Sequence, residues 1–152
     1  MIIALDQIQP LRDKTGYGVM DVKKALEEAA GDMAKAEALL AKRGAVVAAK
    51  KADRVTNAGR IETYVHGGKI GVMVEVNSET DFVAKNEEFI GFAHDVALQI
   101  ASMAPESVEA LLEQPFIKEP SKTMRDLLHD MVGKIGENLS IRRFIRYELG
   151  GE

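Results

Sequence analysis

The stretch from Arg60 to Asn77 restricts the possible folds more than any other part of this chain. Arg60 to His66 and Lys69 to Asn77 read as two strands flanking Gly67-Gly68, a pair able to take the positive φ angles of a two-residue hairpin turn. Ile70, Val72, Val74 and Val76 alternate strictly, so all four fall on one face, and that face has to be buried. The cover comes from further along the chain. Asn86 is a good N-cap for a helix running to about Met103, whose inner stripe is Phe89, Phe92, Ala93, Val96 and Ile100. Pro105, Pro115 and Pro120 then punctuate an irregular stretch with a short helix at about 107–113. Met124, Leu127, Leu128, Met131, Val132 and Ile135 give a further amphipathic helix that stops at Gly136. Leu139 to Glu148 follows as a strand antiparallel to the hairpin. Residues 58–152 are therefore expected to form an α+β core, a small antiparallel three-stranded sheet covered by helices.

The N-terminal part has a different period. Asp6 is placed as an N-cap, with Pro10 near the first turn and Ile8 and Leu11 as apolar positions before Thr15-Gly16-Tyr17-Gly18 stops the helix. Near Asp21 a second helix starts, with Val22, Ala25, Leu26 and Ala29 on its stripe and Gly31 as its stop. Asp32 caps a third, carrying Ala36, Leu39 and Leu40 and expected to end at Gly44. Three short helices joined by glycine turns over residues 1–45 resemble a ubiquitin-associated-type bundle. Residues 46–57 are expected to be a helical or extended linker. Its neighbourhood holds Lys42, Arg43, Lys50, Lys51 and Arg54, which suit phosphate but lack the interleaved aromatics that stack on bases, so a solvated basic segment is favoured over nucleic-acid binding.

Charge supports the same division. Residues 1–57 carry 10 Lys/Arg and 8 Asp/Glu, whereas 58–152 carry 10 and 16, so a slightly basic module precedes an acidic one. The chain has no cysteine, which excludes disulfides, a catalytic thiol and thiolate metal sites and favours a reducing, cytoplasmic setting. No secretory signal pattern and no apolar run of membrane-spanning length is read at the N-terminus or beyond. GxxxxGK[ST], GxGxxG and GxSxG patterns are absent. His66, His94 and His129 show no ligand spacing. Glu75, Asn77 and Glu79 share one strand face with Asp81 just beyond, a row that could bind a hard cation or exchange protons, or simply form the wet face of a half-buried strand.

One segment stands apart: Asn77-Ser78-Glu79-Thr80-Asp81-Phe82-Val83-Ala84-Lys85-Asn86. A large ring follows an acid inside a short connection between a strand and a capped helix. Phe82 is either a buried staple beneath that helix or an exposed tip built to enter a partner's crevice. Here the sequence closely resembles the elongation factor Ts family, guanine-nucleotide exchange factors for the translational GTPase elongation factor Tu. Three blocks carry the resemblance: Leu11 to Leu26 followed by Gly31-Asp32, Glu75 to Asn86, and Val132 to Arg143. The family often has Ala at the position of Tyr17, Met at Val19, and Cys at Val22 and Ser78. Its long members carry a second copy of the α+β core and an extra helical hairpin.

The resemblance implies a non-enzymatic factor without cofactor or bound metal, acting by contact with elongation factor Tu. Thr80, Asp81, Phe82 and Val83 would insert near the GTPase's Mg²⁺ site, and Arg12, Val19 and Met20 would belong to the bundle's docking surface. A ubiquitin-associated-type adaptor without exchange activity is the alternative reading. The single core copy, with two unpaired sheet edges, favours a homodimer through the α+β module.

Overall fold

The computed structural model describes residues 2–151. Helix α1 (Leu5–Thr15) begins earlier than Asp6 allows: Ala4 is the N-cap, and its amide donates to Oε1 of Gln7. Asp6 instead lies in the first turn, where a carboxylate meets the positive end of the helix. Pro10 consequently sits inside the helix, leaving the solvent-exposed Asp6 end of the ladder without one donor. Gly16, at φ 74°, ends it as expected. Helices α2 (Val19–Glu28) and α3 (Met33–Lys51) are joined by a reversal through Ala30 and Gly31, and Asp32 caps α3 by accepting from the amide of Lys35. Ile3, Ile8, Leu11, Tyr17, Val22, Leu26, Ala36 and Leu40 form the core of this bundle.

The third helix does not end at Gly44. It continues to Lys51, through the first half of the 46–57 segment, because Gly44 serves a close approach and not a left-handed cap. A Cβ on Gly44 would lie 2.6 Å from the Tyr17 hydroxyl and 3.1 Å from the carbonyl oxygen of His129. One on Gly133 would lie 2.9 Å from the Cα of Gly44. Helix α3 thus crosses α7 (Met124–Ile135) almost backbone to backbone. Ala48, beyond the crossing, is already part of the second core.

That second core lies under a three-stranded antiparallel sheet of order β1-β2-β5, built from β1 (Ala58–His66), β2 (Ile70–Ser78) and β5 (Ser140–Glu148). Val72, Val74 and Val76 turn inward onto Phe89, Phe92, Val96 and Ile100 of α5 (Glu87–Met103), the arrangement their alternation requires. Between β2 and α5 lies the one-turn helix α4 (Asp81–Ala84). Helix α6 (Val108–Glu113) occupies the expected short-helix position. The proline-rich stretch also holds a small hairpin, β3 (Pro115–Phe116) and β4 (Glu119–Thr123). Buried Gln99 ties it to α5, donating to the carbonyl of Pro115 and accepting from the amide of Ile117. In β5 the register slips opposite Glu75/Val76, so Arg142 is an extra residue in the ladder. Arg142 and Arg143 therefore both reach Glu75.

The crossing predicts opposite signs for two glycine substitutions. Gly133→Ala improves helix propensity by about 1 kcal/mol but forces a methyl into the Gly44 backbone, an overpacking cost of about 1–3 kcal/mol. Exposed Gly91 in α5 has no atom within 4 Å of its would-be Cβ, so Gly91→Ala takes the propensity gain alone. Urea denaturation should show a lower midpoint for Gly133→Ala and a higher one for Gly91→Ala; a rise for both would contradict the tight crossing.

Candidate partner-docking site

The end of β2 is where the backbone leaves the sheet and where its amides need new partners. Pairing with β1 stops at Ser78 and pairing with β5 at Asn77. Just beyond, the amides of Glu79 and Thr80 both donate to Oε1 of Glu137 at 3.1 Å, and the Thr80 hydroxyl donates to its Oε2 at 2.8 Å. In return Glu79 Oε1 accepts from the amide of Asn138 at 2.7 Å. Thr80 is also the N-cap of α4, its Oγ1 accepting from the amide of Val83 at 3.3 Å. On the other side of the tip Asn86 caps α5, accepting from the amides of Glu88 and Phe89.

The consequence is a short protrusion with a defined inside and outside. Val83 and Ala84 are buried, whereas Phe82 is 85% exposed and Asp81 lies beside it in solvent. Phe82 is therefore not a staple beneath α5. Of the four residues singled out in this segment, Asp81 and Phe82 face outward, exposed Thr80 is held by Glu137, and Val83 roots the turn in the core. Full burial of a phenylalanine side chain contributes up to about 3 kcal/mol, and the folded chain forgoes that contribution at Phe82.

The bundle residues are also exposed. Val19 is 41% and Met20 64% accessible at the start of α2, and Arg12 is exposed on α1 without an ion-pair partner among the described residues. Neither apolar side chain is consumed by bundle packing. The backbone carbonyl of Asp21, one residue on, accepts from Arg43 of α3. From Arg43 to the end of α3 at Lys51 is about 12 Å at 1.5 Å per residue. The last turn beyond α3 is bound to the loop that braces the tip, since Asn138 Nδ2 donates to the carbonyls of Ala52 and Arg54. The two surfaces are thus referenced to one helix.

The carboxylate row does not converge. Glu75 pairs with Arg143 at 2.9 Å, and the Asn77 amide beside it, followed by that guanidinium, holds its carboxyl below the usual range. Glu79 turns to Asn138 and Arg54, and Asp81 points to solvent. Among the described residues no group of three acidic or histidine side chains is placed to hold a metal. No described helix is long and apolar enough to cross a membrane. Glu137, in the third block of resemblance, was given no role by sequence reasoning, and no local signal could supply one, because its partners lie 57 and 58 positions away.

Comparison with known proteins identifies the family. Residues 79–152, from the tip to the C-terminal strand, match the model of the family described as elongation factor TS. Proteins named elongation factor Ts from Alkaliphilus metalliredigens and Desulfotalea psychrophila are 43% and 42% identical, each over 99% of this chain and over 91% and 100% of their own lengths. The one from Rubrobacter xylanophilus is 44% identical over 98% of this chain and 100% of its own length. These alignments span 195 positions against 152 residues here, so the relatives carry additional residues within the matched region. The chain belongs to the elongation factor Ts family of translation elongation factors.

Proposed function

We propose that this protein is a guanine-nucleotide exchange factor that binds elongation factor Tu·GDP and promotes GDP release. The observation that carries the reading is Phe82: an 85% exposed ring on a one-turn helix anchored by Val83 and capped by Thr80, in a chain of this family. On this reading Phe82 is a wedge that enters the GTPase beside its Mg²⁺ site, and Asp81 biases the same region electrostatically. Displacing the ion leaves the diphosphate charge less compensated, so GDP leaves faster. Linkage makes the effect reciprocal: a factor that binds the empty GTPase more tightly than the loaded one weakens nucleotide binding by the same ratio. Arg12, Val19 and Met20 supply the second contact, on the nucleotide-binding domain. The protein performs no covalent chemistry in this scheme and works as a cytoplasmic protein. An adaptor acting through the bundle alone would have no use for a braced tip.

Release of a fluorescent GDP from elongation factor Tu tests the reading directly. Phe82→Ala should retain the fold by circular dichroism and lower stimulated release about thirtyfold, the equivalent of about 2 kcal/mol. Unchanged release by the folded variant would remove the wedge.

A homodimer through the α+β module is the second proposal, and the outer face of the sheet favours it. Helices cover only the valine face of β2. On the other face Met73 pairs across to Ile145, and Gly71 lies between Val65 and Tyr147. Val65, Met73, Ile145 and Tyr147 are each more than half exposed. A second copy of the same face would pack on it as sheets pack in a sandwich, about 10 Å apart. Light scattering should give a mass of twice 16.6 kDa at micromolar concentration, reduced to the monomer by Ile145→Glu. A concentration-independent monomer in the unmodified protein would refute the dimer.

A further inference from the structure

We propose that Glu137 is the positioning residue of the tip: through the Thr80 hydroxyl it fixes the rotation of α4, so that Phe82 points outward and Val83 inward. The inference rests on the exchange reading and extends it to a residue outside the tip segment.

A hydroxyl has one proton to give, and which way it points decides what its oxygen can accept. Here the proton goes to Glu137 Oε2, 2.8 Å away, which leaves a lone pair of Oγ1 free for the amide of Val83. Carboxylate, hydroxyl and helix amide thus form one directed chain from the loop after α7 into the first turn of α4. The other oxygen of Glu137 takes both amides that the sheet leaves unpaired, those of Glu79 and Thr80. Three hydrogen bonds to one ionised carboxylate are each stronger than their neutral equivalents. The approach of a second acid, Glu79, is compensated by its bond from the Asn138 amide and by Arg54 at 3.6 Å.

Geometry explains why this matters for a four-residue helix. Such a helix cannot hold itself together, because nucleation costs more than one turn of hydrogen bonds returns. Its orientation comes from the burial of Val83 and Ala84 and from its two ends. Asn86 fixes the exit, where α5 begins, and Glu137 fixes the entry. With the entry released, rotation about the β2 end would exchange the exposed and buried positions of neighbouring residues.

Two measurements on the full chain test this, one independent of exchange. In hydrogen–deuterium exchange, Glu137→Ala should reduce protection of the Val83 and Ala84 amides about tenfold while leaving that of the β1–β2 ladder unchanged; unaltered protection at Val83 would overturn the proposal. In GDP release from elongation factor Tu, Glu137→Ala should lower stimulated release about tenfold. The same substitution placed on a Phe82→Ala background should cost nothing further. An equal loss in both backgrounds would mark Glu137 as a general structural residue and overturn the positioning role. Should Glu137→Ala fail to fold, Glu137→Gln, which keeps one acceptor oxygen for the amides of Glu79 and Thr80 but puts an amino group where the Thr80 hydroxyl donates, carries the same two comparisons. If the unmodified protein fails to stimulate release, the exchange reading falls and the amide measurement alone decides whether Glu137 orients the tip.

Discussion

The contact between Gly44 and Gly133 sets where everything else can be. Two helices normally pack with their axes 8–10 Å apart, and only residues without side chains permit the approach seen where α3 crosses α7. Helix α3 places Ala36 and Leu40 in one core and Ala48 in the other, so the crossing joins bundle and sheet through a single continuous rod. Tyr17 closes the same junction. Its ring lies beneath Lys134 at 5.8 Å, and its hydroxyl is buried with no hydrogen-bond partner among the described residues. Burial, reinforced by the charges of Asp130 and Asp21, pushes the phenol well above its ordinary pKa, so the ring stays neutral and acts by shape. Burial also lowers the Lys134 ammonium, the expected direction for a cation taken out of water.

A chain that leaves Phe82 in solvent gains nothing from it in the folded state, so its placement has to be secured by the residues around it. Val83 and Ala84 supply apolar anchorage, and Thr80 and Asn86 satisfy the amides at the two helix starts. The backbone that carries the ring is held at both ends, so its conformational freedom is already reduced. Preorganisation of that kind raises affinity without adding a contact.

The hairpin, the Asn86 cap and the Gly136 stop were legible in the sequence because each is decided within a few residues. Gly44 was not, since a glycine needed for a neighbouring backbone looks the same as one needed for a left-handed cap, and only the partner helix 89 positions later distinguishes them. Pro115 and Pro120 suggested irregular chain and concealed a hairpin whose tie, Gln99, is on another element. The N-cap shifted from Asp6 to Ala4 because Gln7 reaches back to the Ala4 amide. Strand periodicity placed Glu75 and Glu79 near one another, but their partners Arg143 and Asn138 come from the far end of the chain and pull them to separate tasks. At the tip, residue types alone left Phe82 open between staple and wedge. Its outward placement shows only in the structure, where the α4 cap residue Thr80 is itself bonded to a carboxylate outside the segment.

The junction and the tip are one mechanical unit. Glu137 follows Gly133 by four residues, so the loop that braces the tip begins about one helical turn after the crossing. Asn138 then binds the chain leaving α3 through the carbonyls of Ala52 and Arg54, while its amide holds Glu79. Hydrogen bonds link the tip through Thr80 to Glu137, just after α7, and α7 is in near-backbone contact with α3. Close-packed elements of this kind yield little to small forces. The wedge proposed for Phe82 would have to resist displacement, and Thr80 and Glu137 tie its base to the loop that follows the α3–α7 crossing.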